Sequence, residues 1–384
     1  MLSIDRSRPM YIWGAGSAGE KTYLLFKTQF SVQGFIDSDS RKWGNDFLDL
    51  KILNPDVLNE KKQEKPFVII ASVFYAEIEK ALIRRGYGHF HDYVFSFDLE
   101  QKDEQENFRV FSNIYRQYGL ESSLSTLRSF DDDFWFWLNT IGYRTQPAVR
   151  EILSPLPADE IQIRLTGVSG DISLQHAFNQ YRIIKSLLDK HNVRFDKFGK
   201  ILDFGCGYGR LLRFFVKDID RGKLYGTDID NTLVTWCKEN NRFGHYCING
   251  QYPPTEFTDK SFSFIFSFSV FTHLSENSHL VWMEEMNRLL DDHGIIIFTI
   301  WNHPQKTVEY HAPHFEDYNQ LIRNYDSGKF CYSNVRYNGS TTYGEAHVPL
   351  SYIKEKWSKF FNFVDCAENH PHSPTQNHVM LRKK

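Results

Sequence analysis

Within seven positions, Asp203, Gly205, Cys206, Gly207 and Gly209 stand between an apolar run at 201–204 and a helically spaced set of Leu211, Leu212, Phe214 and Phe215. That order reads as a buried strand, a tight turn and the start of a helix. Such a turn needs glycine where φ is positive or where a ligand lies against the backbone. A second apolar segment ends at Asp228, nineteen residues beyond Gly209. A carboxylate at the tip of a second strand can accept both hydroxyls of a ribose whose remainder lies over the first turn. The chemistry open to these residues is the capture of a nucleoside. Asp203 and Cys206 interrupt what a dinucleotide turn would present, and no plain GxGxxG runs through the stretch, which argues against NAD. A glycine-rich turn that only packs a strand on a helix is the structural alternative.

Two histidines offer a second chemistry. His273 follows an expected fourth strand at 261–267, and His303 follows an expected fifth at 294–300. Both would stand at the C-terminal edge of a parallel sheet, where open α/β sheets bind ligands. An imidazole there can take the proton of an attacking hydroxyl. His303 is the first candidate for that base and His273 the second; tying down its own loop is the structural alternative for His273.

The stretch 203–209 closely resembles the S-adenosylmethionine turn of class I methyltransferases, D-x-G-C-G-x-G, with Asp228 in the place of that family's ribose-binding acid. The run Ser269-Val270-Phe271-Thr272-His273-Leu274, with Asn249, Pro253 and Pro254 upstream, resembles a subgroup that carries N-x-x-x-P-P and S-V-F-T-H-L. The resemblance covers residues 145–384. It implies an α/β fold whose seven-stranded, mostly parallel sheet takes its last strand antiparallel. It also implies S-adenosyl-L-methionine as cofactor, contacted at Asp203, Gly205, Cys206, Gly207, Gly209, Asp228, Ile229, Asn249, Gly250 and Ser267. A helix over 177–191 falls where such enzymes cover the methionine end of the cofactor. Asn179, Tyr181 and Arg182 are carried over as contacts there, with core packing as their structural alternative.

A separate unit opens the chain. Strand 10–13 leads into Gly14, Gly16 and Gly19, a true GxGxxG, then a helix through 23–26 and a second strand, 32–36, that ends at Asp37 and Asp39. The run 66–72 reads as a central parallel strand, 75–85 as a helix stopped by Gly86, and 93–97 as a short closing strand. Within a domain spanning 1–98, residues 9–97 resemble the small Rossmann-like domains attached to bacterial enzymes of surface-sugar biosynthesis, some of which bind a nucleotide-sugar. The resemblance implies nucleotide contacts at Gly14, Gly16, Gly19, Asp37 and Asp39. A domain that has lost its ligand and serves for docking or dimerisation remains the alternative.

Composition narrows the partners. The 384 residues suit two or three domains. Lys plus Arg number 45 against 48 Asp plus Glu, a formal charge of -3, so no basic excess is present to neutralise a nucleic-acid backbone. Cys206, Cys237, Cys247, Cys331 and Cys366 form no CxxC pair, which indicates neither a disulfide framework nor a zinc knuckle. The first residues lack the apolar core of a signal peptide, and the apolar run 262–271 is too short to span a bilayer. A reducing cytoplasm fits these features.

A helical linker is expected over 99–144, with 100–106 as a solvated face. Asp131, Asp132 and Asp133 would supply an N-cap and a negative first turn for the aromatic helix that follows, since adjacent acids diverge on a helix and no second cluster faces them. Residues 302–348 carry His303, His311, His314 and His347 with Tyr310, Phe315, Tyr318, Tyr325, Tyr332, Tyr337 and Tyr343, and are expected to fold as a lid over the acceptor. Their spacing matches no metal motif, and no metal is expected.

The expected activity is S-adenosylmethionine-dependent methyl transfer to a sugar, nucleotide-sugar or surface-glycan acceptor at oxygen. A homo-oligomer or an association with glycan-assembly enzymes would suit that role. Two alternatives stay open: a nucleotide-sugar oxidoreductase or epimerase in the first unit, although no Tyr-x-x-x-Lys pair follows its strands, and a non-catalytic scaffold that binds the cofactor.

Overall fold

Met10 to Trp13 are buried along the whole strand, as a central parallel strand covered on both faces must be. In the computed structural model, which describes residues 8–28, 30–59, 65–72, 74–88, 91–96, 102–334 and 343–384, this strand centres the first of two compact units. Those units are Met1–Phe108 and Arg109–Lys384.

The first unit holds strands β1 (Met10–Trp13), β2 (Val32–Ile36), β3 (Asp46–Phe47), β4 (Leu50–Leu53), β5 (Phe67–Ile70) and β6 (Tyr93–Phe95). Their order in the sheet is β3-β4-β2-β1-β5-β6, parallel throughout except for the β3–β4 pair. Helices Ser17–Phe26 and Tyr75–Arg84 follow β1 and β5. The sequence reading lacked β4, although Leu50 and Ile52 alternate with exposed Lys51. Four residues give too short a period to separate a strand from a loop. Phe97, at the end of the expected closing strand, lies outside the described residues, as do 99–101 of the expected linker.

In the second unit, helix Lys102–Leu127 completes its path with a break at Gly119, and Asp131 caps helix Asp132–Trp137 by accepting the Phe134 N–H. After it come β7 (Ile201–Phe204), β8 (Leu224–Asp228), β9 (His245–Ile248), β10 (Phe262–Ser267), β11 (Leu290–Trp301), β12 (Cys331–Ser333), β13 (Glu345–His347), β14 (Phe361–Ala367) and β15 (Gln376–Lys383). The seven-stranded sheet runs β14-β15-β11-β10-β7-β8-β9. The five strands from β11 to β9 are parallel, and β15 is antiparallel to both of its neighbours. This is the class I methyltransferase sheet, and a separate α/β domain precedes it.

Helix Glu276–Leu289 covers one face through Trp282, Met283, Met286 and Leu289, which share a core with Leu202, Phe204, Ile296 and Phe298. Each such side chain contributes about 1.5–3 kcal/mol by leaving water. The core holds the tips of β7, β8, β10 and β11 in fixed register, and the candidate site is built from the loops on those tips. Between β11 and β14 the chain forms helices Val308–His311 and Tyr318–Asp326 and the β12–β13 pair. Tyr337 of this segment lies outside the described residues. Among the described residues, no helix is long and apolar enough to cross a membrane.

Candidate active site

The turn after β7 is clamped to β8, because the N–H groups of Gly205 and Cys206 both donate to the Thr227 carbonyl at 2.8 and 3.0 Å. At Gly205 φ is 80°, and a Cβ there would stand 2.2 Å from the Val270 side chain. Glycine is thus required both by the backbone and by the loop after β10 that presses on it. Gly207 differs, since the nearest atom to its missing Cβ is Leu165 Cδ1 at 3.9 Å. A Cβ there would meet that methyl in ordinary contact and clash with nothing. Gly209 is hemmed in by Asn241 and Tyr246, so its role is packing.

Asp228 turns back over this turn. Its Oδ2 accepts the Gly207 N–H at 2.8 Å and its Oδ1 accepts the Asp230 N–H at 2.9 Å. A carboxylate has about four acceptor positions, so each oxygen retains capacity for a ribose hydroxyl. Ile229 and Ile248 beside it are exposed at 56% and 42%, unusual for isoleucine at a strand tip, and offer a flat apolar margin. Asp203 is buried, and its Oδ2 has no hydrogen-bond partner among the described residues. Burial, and next the charge of Asp228, pushes its carboxyl well above the usual range.

Other expected contacts are spent inside the protein. Ser267 Oγ donates to the Phe204 carbonyl at 2.8 Å and ties β10 to β7. The thiols of Cys206 and Cys237 are both buried and both donate to the Gly207 carbonyl. Asn249 accepts from Thr227 Oγ1 at 2.9 Å and donates to the Gly250 carbonyl at 2.8 Å, which holds the tip of β9 beside Asp228.

Tyr181 is not brought to the turn. It lies on helix Gly170–Lys190 with its ring packed on Phe178, Phe195 and Phe215, and its hydroxyl donates to Asp218 within a group that includes Asp132 and Lys185. Asn179 accepts from Gln175, and Arg182 lies over the Phe178 ring. The same helix meets the turn instead through Ser173, about two helical turns earlier. Ser173 Oγ bonds the Tyr208 hydroxyl at 2.7 Å, and Arg210 donates to the Ser173 carbonyl at 2.9 Å.

Sequence reasoning missed helix Asp159–Thr166, which brings Leu165 over Gly207 and pairs Arg164 with Asp230 at 3.4 Å. Its signals were present: two acids open it, and Gly167, at φ 76°, stops it.

The two candidate bases differ. His303 caps a 3₁₀ turn: its Nδ1 accepts the Gln305 N–H at 3.2 Å, so its proton sits on Nε2, which donates to Asp326 at 2.8 Å. Both ring nitrogens are used in holding the start of the 302–348 segment. His273 lies on the loop whose Val270 presses on Gly205, and its own N–H bonds the Val270 carbonyl at 2.9 Å. Its Nδ1 donates to the Gly344 carbonyl at 2.9 Å, which fixes the tautomer with the lone pair on Nε2. Ser269 in this loop holds a φ of 59°, a conformation that costs a non-glycine residue of order 1–3 kcal/mol and clusters at functional sites.

In the first unit, a Cβ on Gly14 would fall 2.1 Å from the Ala71 carbonyl and one on Gly19 would fall 1.8 Å from the Gly14 carbonyl, so both are packing glycines. Gly16 has open space above it. Asp37 accepts the Ala15 N–H at 3.0 Å and is paired with Lys42 at 2.8 Å, whereas Asp39 caps the next turn and binds Arg41.

An acid-tipped second strand beside a glycine turn on this sheet defines a nucleoside-binding α/β domain. Residues 202–298 match the family described as Methyltransferase domain, and residues 7–90 match the family described as C2185-like, N-terminal. Among solved structures, the PH0226 protein from Pyrococcus horikoshii OT3 is 14% identical, over 64% of this chain and 99% of that one, with a TM-score of 0.39. A SAM-dependent methyltransferase from Aquifex aeolicus is 13% identical over 60% and 100%, with a TM-score of 0.37. One from Mesorhizobium loti is 12% identical over 48% and 90%, also at 0.37. The protein is an S-adenosylmethionine-dependent methyltransferase, and S-adenosyl-L-methionine is its cofactor. The residues fit that group: a Gly207 whose missing Cβ would clash with nothing, unspent acceptor capacity on Asp228 and, among the described residues, an unpartnered buried oxygen on Asp203.

Proposed function

We propose that the enzyme methylates a hydroxyl of a sugar, nucleotide-sugar or surface glycan, with His273 as the proton acceptor. The observation that carries this reading is the setting of His273. It shares a loop with the residue that presses on Gly205, carries its basic lone pair on Nε2, and stacks on Tyr343 with ring centroids 5.0 Å apart. Tyr343 and Tyr310 are exposed at 46% and 62%, and flat aromatic faces beside a base suit the apolar face of a sugar ring.

When bound, the cofactor supplies an activated methyl group. Asp228 would hold the ribose hydroxyls, the backbone at Gly207 would lie against the cofactor, and Ile229 and Ile248 would flank the adenine. Leu165 and the 302–348 segment would exclude water while the acceptor oxygen is aligned, and alignment supplies up to about 7–11 kcal/mol of barrier reduction. His273 would take the hydroxyl proton, which contributes about 10²–10⁴ in rate.

Residues 1–98 would bind a nucleotide-sugar and 145–384 would carry out the transfer. Gly16, Asp37 and Lys42 support the first role, since an acid for a ribose and an ammonium for a phosphate stand at one turn. A docking role is favoured by the same Lys42, because it neutralises Asp37. Five free thiols suit a cytoplasmic setting. Incubation of the full chain with radiolabelled S-adenosylmethionine and a panel of nucleotide-sugars and glycans tests the reading. Transfer to one of them, lost by at least about 100-fold in His273→Gln with cofactor affinity within threefold, is expected. Transfer at the native rate by the variant would move the base elsewhere.

A further inference from the structure

We infer that Glu345 is a positioning residue for His273: its buried carboxylate, fixed by Trp301, holds the imidazole in place and stabilises the imidazolium formed when Nε2 takes the acceptor's proton. The inference rests on the reading of His273 as base.

The geometry begins with the backbone. Gly344, just before β13, and Ala346 within it are zipped to the His273 loop, with Gly344 N–H donating to the His273 carbonyl and Ala346 N–H to the Thr272 carbonyl, both at 2.8 Å. Side chains alternate along an extended strand, so Tyr343, Glu345 and His347 share one face. Tyr343 lies against the His273 ring, and Glu345 follows one repeat further in. Glycine at 344 lets this segment lie close against β12, since a Cβ there would stand 2.2 Å from the Ser333 carbonyl.

Glu345 is 3% exposed. Its Oε2 accepts the Trp301 indole N–H at 3.1 Å and stands 3.6 Å from His273 Nδ1 and 3.6 Å from His311 Nε2. The same indole N–H reaches the Thr272 carbonyl at 3.1 Å, and the Trp301 ring meets His273 edge-on at 5.9 Å. The carboxylate therefore has a fixed position relative to the loop that bears the base. Among the described residues, Tyr343, Trp301, the Gly344 carbonyl and Glu345 face His273. Behind Glu345 stand His311 and, 4.7 Å from it between ring centroids, His347, which burial and then His311 hold neutral. A neutral His347 adds no second cation to compete for the carboxylate.

The proton balance is simple. The acceptor O–H proton passes to Nε2 as the oxygen takes the methyl group, and the imidazolium returns it to solvent. During that interval a negative charge at 3.6 Å favours the charged ring. The carboxylate thereby favours the protonated ring over the neutral one, and Nδ1 keeps its proton throughout.

The test uses the full chain and needs no acceptor for its first measurement. NMR titration of the His273 ring, assigned by the signal lost in His273→Gln, gives its pKa directly. Glu345→Gln keeps the acceptor for Trp301 and removes the charge, so the His273 pKa is expected to fall by about one unit or more. Glu345→Asp, which restores the charge, is expected to recover part of it. With the acceptor from the panel, Glu345→Gln should lower kcat about tenfold or more, leave both KM values within threefold and move the acidic limb of the pH–rate profile down with the NMR value. An unchanged His273 pKa in a folded Glu345→Gln protein would overturn the inference even if His273→Gln is inactive. Native turnover by His273→Gln would instead remove the reading beneath it.

Discussion

Two glycine turns in this chain are built alike and finished differently. Each follows a buried parallel strand, and each carries one glycine whose missing Cβ would meet no clash: Gly16, under open space, and Gly207, with Leu165 Cδ1 at 3.9 Å. In each, an acid at the tip of the next strand accepts a turn N–H: Asp37 from Ala15 at 3.0 Å, Asp228 from Gly207 at 2.8 Å. The differences lie in what surrounds the acid. Lys42 is paired with Asp37 at 2.8 Å, whereas no cation pairs with Asp228 among the described residues, Arg164 going to Asp230 instead. Two residues before the first glycine stands Ile12 in one turn and Asp203 in the other, both buried. Ile12 is content in a dry site, while Asp203 leaves an oxygen without a partner among the described residues. A turn with unmet polar demand is set for a ligand, and one whose charges are already matched can serve structure alone.

The largest expected effects come from the packing glycines. Gly205→Ala should cost about 2–4 kcal/mol, through a strained φ and displacement of Val270, and should abolish measurable cofactor binding by calorimetry. Gly14→Ala meets the Ala71 carbonyl and should destabilise its unit comparably while leaving cofactor affinity intact. Loss of cofactor binding in Gly14→Ala would break the separation of the two turns.

Next come the acids. Asp228→Ala removes two charge-assisted hydrogen bonds and should weaken S-adenosylmethionine binding at least about tenfold. Asp37→Ala should leave that affinity unchanged, and saturation-transfer NMR of the full chain with nucleotide-sugars would show whether it removes any ligand of the first turn. Equal effects of both substitutions on the cofactor would end the comparison.

Smaller effects are expected at the open glycines. Gly16 has extended backbone, φ -154°, so Gly16→Ala should change thermal stability by less than about 0.5 kcal/mol. Gly207, at φ 54°, should lose about 1 kcal/mol on the same change, and cofactor affinity should fall with it. Unfolding curves with and without cofactor separate the two terms.

A further effect concerns pH. Folding holds the Asp203 proton at pH values where the unfolded carboxyl, near about 4, has lost it, so stability falls as pH rises from about 4 toward the folded value. Asp203→Asn should flatten that decline in melting curves taken from about pH 4.5 to 7.5, and Ile12 gives the first unit no counterpart. An unchanged slope would mean that Asp203 is charged in the folded chain.

What the amino-acid order determined by itself was local. Runs such as 201–204 and 262–267 carry enough buried, β-branched and aromatic residues to specify strands, and glycine at 205 states a backbone need that no other residue meets. The spacing from Gly209 to Asp228 sufficed for the acid at the second strand tip, because one helix and one strand take a nearly constant length of chain. Tertiary structure decided what lies far apart in sequence. His303 and His273 look alike as histidines after strands, yet one is consumed by Gln305 and Asp326 while the other is set beside Glu345, seventy-two residues away, by a strand pairing that no local pattern encodes. Tyr181 and Ser173 share a helix, and only its packing chose which of them meets the turn. Side-chain roles of this kind depend on which faces are buried together, and that is settled by the closing of the core as a whole.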